Sequence, residues 1–166
     1  MSRILVAGIG NIFLGDDAFG CEAARALAAR PLPPGVIVRD FGIRCLDLAY
    51  SLAGGWSAVI VLDAVSRSSV PGTLFRITLE DEPEPAATLN AHNVGVEHVR
   101  ALAARMAIAL PPMFLIGCEP AALEPVAGDR PSLSPPVAAA LPHALAMAEA
   151  LARECFASHN LEVVHS

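Results

Sequence analysis

Short continuous apolar runs alternate along the chain with segments whose apolar residues recur every three or four positions. The runs at 3–8, 36–40 and 57–64 predict strands, and the continuous apolar stretch of the third is typical of a buried position in a parallel sheet. The periodic segments at 18–30 and 45–55 predict the two intervening helices. This order predicts two successive right-handed crossovers.

The second half of the chain departs from this alternation at one place. The connection over 64–72 is too short to hold a crossover helix, so the strand over 72–79 is predicted to run antiparallel to a neighbour, at an edge of the sheet. An acidic, proline-rich loop follows. A helix over 93–107, a fifth strand over 111–120 and a final helix over 134–155 complete the pattern.

These elements predict an α/β fold, a three-layer α/β/α sandwich around a mostly parallel, mixed five-stranded sheet with one antiparallel strand. Ser134 and Pro135 are suited to start the final helix, and Pro142 is expected to kink it. No repeat or linker interrupts the pattern. We expect one domain over 1–155 and a C-terminal tail over 156–166 that need not be ordered.

Composition narrows the possible partners and the compartment. The 166 residues are 54% hydrophobic and carry a net charge of -6, and every basic residue is Arg, so nucleic acid and anionic membranes are poor partners. Strand-like sequence starts at residue 3 and the apolar runs are short or broken, so we expect a cytoplasmic protein without a leader or a membrane span. The four scattered cysteines are interpreted as small buried residues.

Three polar residues fall where a ligand site is expected. Asp17 follows the first strand, Asp63 ends the third, and His92 lies in the loop before a helix. In such a sheet, the loops after the carboxyl ends of the strands meet along one edge. Two carboxylates and an imidazole suit a divalent transition metal and leave coordination positions open.

The loop "GIGNIFLGDDAFG", residues 8–20, has two interpretations. Gly8, Gly10 and Gly15 allow tight turns, and helix-start amides would stabilise the carboxylates of Asp16 and Asp17 for presentation to a cation. The alternative without a ligand is that Asp16 and Asp17 only cap a helix and that Asp63 is an ordinary turn residue. A dinucleotide site, with Asp40 as the ribose acid, fits less well because G-x-G is not followed by the third glycine at the usual spacing.

Five motifs together resemble the hydrogenase maturation proteases. They are "ILVAGIGNIFLGDDAFG", "DFGIR", "VLDAVSRSSVPGT", a histidine in the loop before a helix, and "LIGCEP" followed by "LEP", and the match runs from about Arg3 to about Arg153. Members of this family remove a short C-terminal extension from the large subunit of a [NiFe] hydrogenase after nickel insertion. The resemblance therefore implies an endopeptidase.

The resemblance also implies roles for particular residues. The family's nickel-contacting and catalytic acid, acid and histidine correspond to Asp17, Asp63 and His92, with nickel supplied by the substrate. The loop associated with substrate recognition corresponds to Asp40, Gly42, Ile43 and Arg44. Asp16 is expected to support the ligand beside it, to act as a base, or to cap a helix.

The expected partner is the large-subunit precursor of a [NiFe] hydrogenase, bound by a monomer. Two other functions stay open at this point. One is a chaperone that holds the nickel-loaded subunit without cutting it, and the other is a dinucleotide-binding enzyme.

Overall fold

The computed structural model describes residues 1–79, 95–128 and 132–164, with side chains up to residue 159. Its strands are β1 (Ile4–Ile9), β2 (Val36–Gly42), β3 (Ala58–Ala64), β4 (Leu74–Leu79) and β5 (Met113–Cys118). Its helices are α1 (Phe19–Ala28), α2 (Cys45–Ser51), α3 (Val96–Arg105) and α4 (Pro135–Val164), and a short 3-10 helix, Gly15–Ala18, precedes α1.

The five strands form one sheet in the order β2-β1-β3-β5-β4. β1 pairs in parallel with β2 and β3, and β3 pairs in parallel with β5. β4 lies at the edge and pairs antiparallel with β5. The predicted mixed sheet with one antiparallel strand is confirmed, and the short connection after β3 is the reason, because it can only return the chain in the opposite direction.

Alternate residues of the central strands face two separate apolar layers. Val6 and Ile60 belong to the cluster that includes α1 and α4, whereas Leu5 and Val59 belong to the cluster that includes α2 and α3. Every residue of β1 is buried. Two helices on each face of the sheet give the predicted three-layer sandwich.

The start of α1 packs against the sheet with no room for a side chain. A Cβ added at Gly20 would lie 2.1 Å from the carbonyl oxygen of Leu62 and 2.3 Å from that of Ile9. A Cβ at Gly8 would lie 2.3 Å from the carbonyl oxygen of Gly20. These glycines therefore serve close packing of α1 on β1 and β3, which fixes the position of the loop between them.

Helix α4 is longer than the sequence pattern indicates. It runs to Val164 instead of ending near Cys155, and its helical assignment continues through Pro142. Ion pairs join it to its surroundings, with Arg30 donating to Glu149 at 2.8 Å. No helix within the described residues combines the length and apolar composition that a membrane span requires.

Candidate functional site

A cleft of about 810 Å³ opens at the carboxyl ends of β1 and β3. Asp17 and Asp63 both line it, together with the first turn of α3. The carboxyl ends of parallel strands meet at this edge of the sheet, which is the reason residues 46 positions apart share one cleft. The sequence-based pairing of these two carboxylates at one site agrees with this geometry.

Asp17 lies on the 3-10 helix and is partly exposed to the cleft. The backbone N–H of Asn11 donates to Asp17 Oδ2 at 2.7 Å. Burial raises the pKa of Asp17, and the hydrogen bond from Asn11 opposes that rise. The bond also fixes the direction of the carboxylate, because Asn11 is held in the turn directly after β1.

Asp63 is almost fully enclosed, with 4% of its surface exposed. Within the described residues, its Oδ1 atom has no hydrogen-bond partner. Its pKa is raised well above the ordinary value, first by burial and then by the negative charge of Asp17, while the backbone N–H of Ala64 opposes the rise. A buried acceptor without a donor, beside a second carboxylate, is costly unless a cation or a proton joins it.

The donor set fits a divalent cation in part. Two carboxylates supply hard oxygen ligands, and a cation between them would relieve both the burial and the mutual repulsion that raise the pKa of Asp63. Among the described residues, no three His, Cys, Asp or Glu side chains lie together in a way that could hold a metal ion. His92, the third predicted ligand, lies outside the described residues, since 80–94 are not among them.

Asp16 does not line the cleft but joins two distant segments. The backbone N–H groups of Ala121 and Ala122 donate to its Oδ2 at 2.8 and 3.1 Å. Ser134 donates its backbone N–H to Oδ1 and its hydroxyl to Oδ2, both at 2.7 Å. These bonds lower the pKa of Asp16 although burial acts to raise it. Asp16 therefore holds the segment after β5 and the start of α4 against the loop that carries Asp17.

Glu119 makes a second connection of this kind, which the sequence analysis missed. It is buried, and its Oε2 atom accepts a hydrogen bond from the backbone N–H of Arg67 at 2.7 Å. Its own backbone N–H donates to the carbonyl of Thr73 at 2.8 Å. A charged residue directly after the apolar run of β5 was the available signal. Asp63 lies in β3, and Glu119 joins the segment that follows β3 to the segment that follows β5.

The residues of "DFGIR" line a smaller pocket of about 350 Å³ that lies next to the cleft, since Asn11 and Ile43 line both. Gly42 has a φ of +56°, and its N–H donates to Asp40 Oδ1 at 3.0 Å. Arg44 donates to the carbonyl of Asp40 at 2.8 Å. The four predicted recognition residues Asp40, Gly42, Ile43 and Arg44 thus form one ordered turn beside the cleft.

This geometry weakens the dinucleotide interpretation. The N–H of Asn11, which a phosphate would need, already binds the Asp17 carboxylate. A Cβ at Gly10 would lie 1.9 Å from the carbonyl oxygen of Asp17, so this glycine accommodates the chain itself. The loop is built around a carboxylate and not around a phosphate.

The described thiols are poor nucleophiles in this environment. Burial, reinforced by the negative charge of Asp63, raises the pKa of Cys45 to about 11. Burial and the charges of Asp16 and Glu119 raise that of Cys118 to about 11. Both side chains are packed in the interior, as the sequence analysis expected.

Comparison with known sequences finds one family. A family model described as hydrogenase maturation protease (HycI) matches residues 21–151. The hydrogenase expression/formation protein HupD of Rhodobacter capsulatus is 37% identical over 151 residues, which are 88% of this chain and 69% of that protein. The hydrogenase 2 maturation protease of Escherichia coli strain K12 is 35% identical over 149 residues, with 87% and 89% covered.

Solved structures of hydrogenase maturation proteases share the fold of this chain. The hydrogenase maturating endopeptidase HybD of Escherichia coli superposes with a TM-score of 0.76 at 31% identity, covering 92% of this chain and 93% of that one. A hydrogenase 2 maturation peptidase from a Thaumarchaeota archaeon superposes with a TM-score of 0.68 at 35% identity, covering 91% and 99%.

Proposed function

This chain belongs to the hydrogenase maturation protease family, and from that premise we propose that its cleft recognises the nickel of its substrate through Asp17 and Asp63. As a member of the family it is an endopeptidase, a hydrolase that acts on peptide bonds. Its substrate is the large-subunit precursor of a [NiFe] hydrogenase, from which it removes the C-terminal extension.

The state of Asp63 is the observation that carries the nickel proposal. This carboxyl is buried, its Oδ1 accepts no hydrogen bond within the described residues, and Asp17 shares its cleft. A positive charge from the substrate would satisfy that oxygen and remove the repulsion between the two acids. We propose His92 as the third contact, on the family resemblance.

The residues around the cleft have separable roles in hydrolysis. Asp17 is oriented by Asn11, and Asp63 is held rigidly at the end of β3. A divalent cation held by such ligands polarises a carbonyl or acidifies a water molecule. Both oxygens of Asp16 already accept hydrogen bonds from the segment 121–134. That supports a positioning role for Asp16 and not a role as a base.

The turn beside the cleft is proposed to contact the precursor. Asp40, Gly42, Ile43 and Arg44 surround the smaller pocket, and Ile43 is largely exposed there. Because Ile43 also lines the cleft, this turn is placed to contact a chain bound there. We further propose that the protein acts as a cytoplasmic monomer.

The test uses the precursor in its nickel-loaded and nickel-free forms, purified from one source and incubated with this protein. Intact mass spectrometry is expected to show loss of a C-terminal peptide from the nickel-loaded form alone. Cleavage of both forms at similar rates would contradict nickel recognition. Binding without any change in mass would contradict hydrolysis of this precursor.

Three single variants test the ligand set, namely Asp17→Asn, Asp63→Asn and His92→Gln. Each keeps the approximate shape of the side chain but removes charge or basicity, so each is expected to lower the cleavage rate by at least about 100-fold. Glu154→Gln and His143→Gln make the same chemical changes on the exposed face of α4 and are the controls. Full activity in two of the three site variants would refute the ligand set.

A further inference from the structure

Five large apolar side chains are exposed on the loops that line the two cavities and on helix α2, which follows one of these loops. They are Phe13 at 59%, Ile43 at 61%, Leu46 at 50%, Tyr50 at 61% and Leu123 at 46% exposed, and we call this set the apolar collar. Among the described residues, only Met1 and Val70 are large hydrophobic residues of comparable exposure outside it. Water-exposed apolar groups gathered at one place mark an interaction surface.

The collar is assembled from three chain segments that the structure holds together. Ile43 and Phe13 line the smaller pocket, and Ile43 and Leu123 line the cleft. The backbone N–H of Val126 donates to the carbonyl of Phe13 at 3.0 Å, which joins the segment of Leu123 to that of Phe13. Through Phe13, Ile43 and Leu123 the collar therefore borders both cavities.

Helix α2 extends the collar beyond the recognition turn. The backbone N–H of Cys45 donates to the carbonyl of Ile43 at 2.9 Å, so the helix begins directly against that turn. Cys45, Leu48 and Ala49 face the core, which leaves Leu46 and Tyr50 one turn apart on the opposite face. Leu46 and Tyr50 lie outside the buried residues of α2.

Two pairs of opposite charges lie next to the collar. Arg25 binds Asp40 at 3.0 Å, and Arg44 lies 3.6 Å from Asp47. Acidic groups lie nearby as well, since the exposed Glu124 follows Leu123 and Asp17 lines the cleft. The collar side chains themselves are apolar, so a partner that fits them is apolar at the point of contact.

We infer that the apolar collar is the docking surface for an apolar segment of the large-subunit precursor next to its cleavage site. This inference rests on the proposed function, because the scissile peptide must enter the cleft that the collar borders. Residues Phe13, Leu46, Tyr50 and Leu123 extend the contact area past the four residues of the recognition turn.

The test measures cleavage as a function of precursor concentration for the wild type, Phe13→Ser and the double variant Leu46→Ser with Tyr50→Ser. We expect KM to rise at least tenfold in the double variant and severalfold in Phe13→Ser, with kcat changed by less than about threefold. Val70→Ser, which removes an even more exposed apolar side chain away from the cleft, is the matched control and is expected to keep the wild-type KM. Circular dichroism and thermal melting show whether each variant is folded.

Binding of the nickel-loaded precursor to the immobilised proteins is measured in parallel. Absence of cleavage by the wild type would count against the proposed function, and the collar is then judged by affinity, which should fall at least tenfold in the double variant. Unchanged KM and affinity in folded collar variants would overturn the inference. A wild-type dimer that these substitutions convert to monomer would overturn it too, because a second copy would then be the occupant.

Discussion

Asp17 and Asp63 occupy the same cleft but differ in what surrounds them. Asp17 accepts a hydrogen bond from Asn11, whereas Asp63 is deeper and has an oxygen without a donor among the described residues. The free energy cost of a charged Asp63 is therefore built into the folded protein. Binding sites of this kind lower the stability of the folded protein, and removal of the Asp63 charge should therefore raise it.

Asp63→Asn is expected to raise the melting temperature of the metal-free protein by a few degrees at pH 8. The pKa of Asp63 is raised in the folded state, so the wild type loses stability as the pH rises from the ordinary value of 3.8 towards the folded pKa. The asparagine does not titrate, and the difference between the two proteins should therefore shrink towards pH 4. Calorimetry across this range checks it, and equal melting temperatures at every pH would contradict it.

Asp16→Asn is expected to lower the free energy of unfolding by about 3 kcal/mol, because an amide cannot accept all the bonds that the carboxylate accepts. The pKa of Asp16 is lowered in the folded state, so its stabilisation is present above 3.8 and is lost as the pH falls through the folded pKa. Urea unfolding at pH 7 and in acid measures the change. Ser134→Ala, which removes one donor of the set, should cost about 1 kcal/mol.

The sequence was sufficient to pair Asp17 with Asp63 but not to explain Asp16. Both site acids follow apolar strands, and the topology of a parallel sheet brings such positions to one edge. The donors to Asp16 lie more than 100 residues away in irregular backbone, at Ala121, Ala122 and Ser134. No periodicity or local motif encodes a contact between two loops at that separation.

At the scale of elements, the boundary between β1 and α1 depends on backbone contact. The strand and the helix approach so closely at Gly20 that its Cα hydrogen faces the carbonyl oxygens of Leu62 and Ile9. The sequence analysis assigned Gly8, Gly10 and Gly15 to turns and gave Gly20 no role. The structure adds that Gly8 and Gly20 are required for packing, which only three-dimensional distances reveal.

Gly20→Ala is expected to destabilise the fold by more than about 3 kcal/mol, since its Cβ would collide with two backbone oxygens that cannot move independently. Gly55→Ala is the control, because Gly55 has a φ of +70° with no atom within 4 Å of the added Cβ. The control should cost only the 1–2 kcal/mol typical of a left-handed residue. Chemical unfolding of both variants separates collision from conformational strain, and equal losses would refute this account.

Element ends were less predictable than element types. Helix α4 continues past Cys155 because no glycine or proline follows to stop it, and residues such as Ala157 favour a helix. The antiparallel direction of β4 was predictable because chain length alone restricts the connection after β3. Length and stop residues are encoded locally, whereas the extent of a final helix also depends on the packing that it finds.

At the scale of the molecule, three loops from separate parts of the chain meet around the cleft and are fastened to each other by buried acids. Asp16 joins the loop after β1 to the segment after β5, and Glu119 joins that segment to the loop after β3. The parts of the cleft and the collar that these three loops carry, including Phe13 and Leu123, are thereby held together. A rigid surface loses little conformational entropy when it binds a partner.

The apolar character of this surface predicts how docking responds to salt. Charge attraction between exposed groups weakens strongly as the ionic strength rises, because the Debye length falls from about 10 Å at 0.1 M to about 3 Å at 1 M. Contacts between apolar groups are not screened, and Arg25 and Arg44 beside the collar already pair with acids of this chain. The KM for the nickel-loaded precursor should therefore change by less than about twofold between 50 and 500 mM NaCl. Steady-state cleavage measures this, and a severalfold rise in KM with salt would show that the net charge of -6 guides docking instead of the collar.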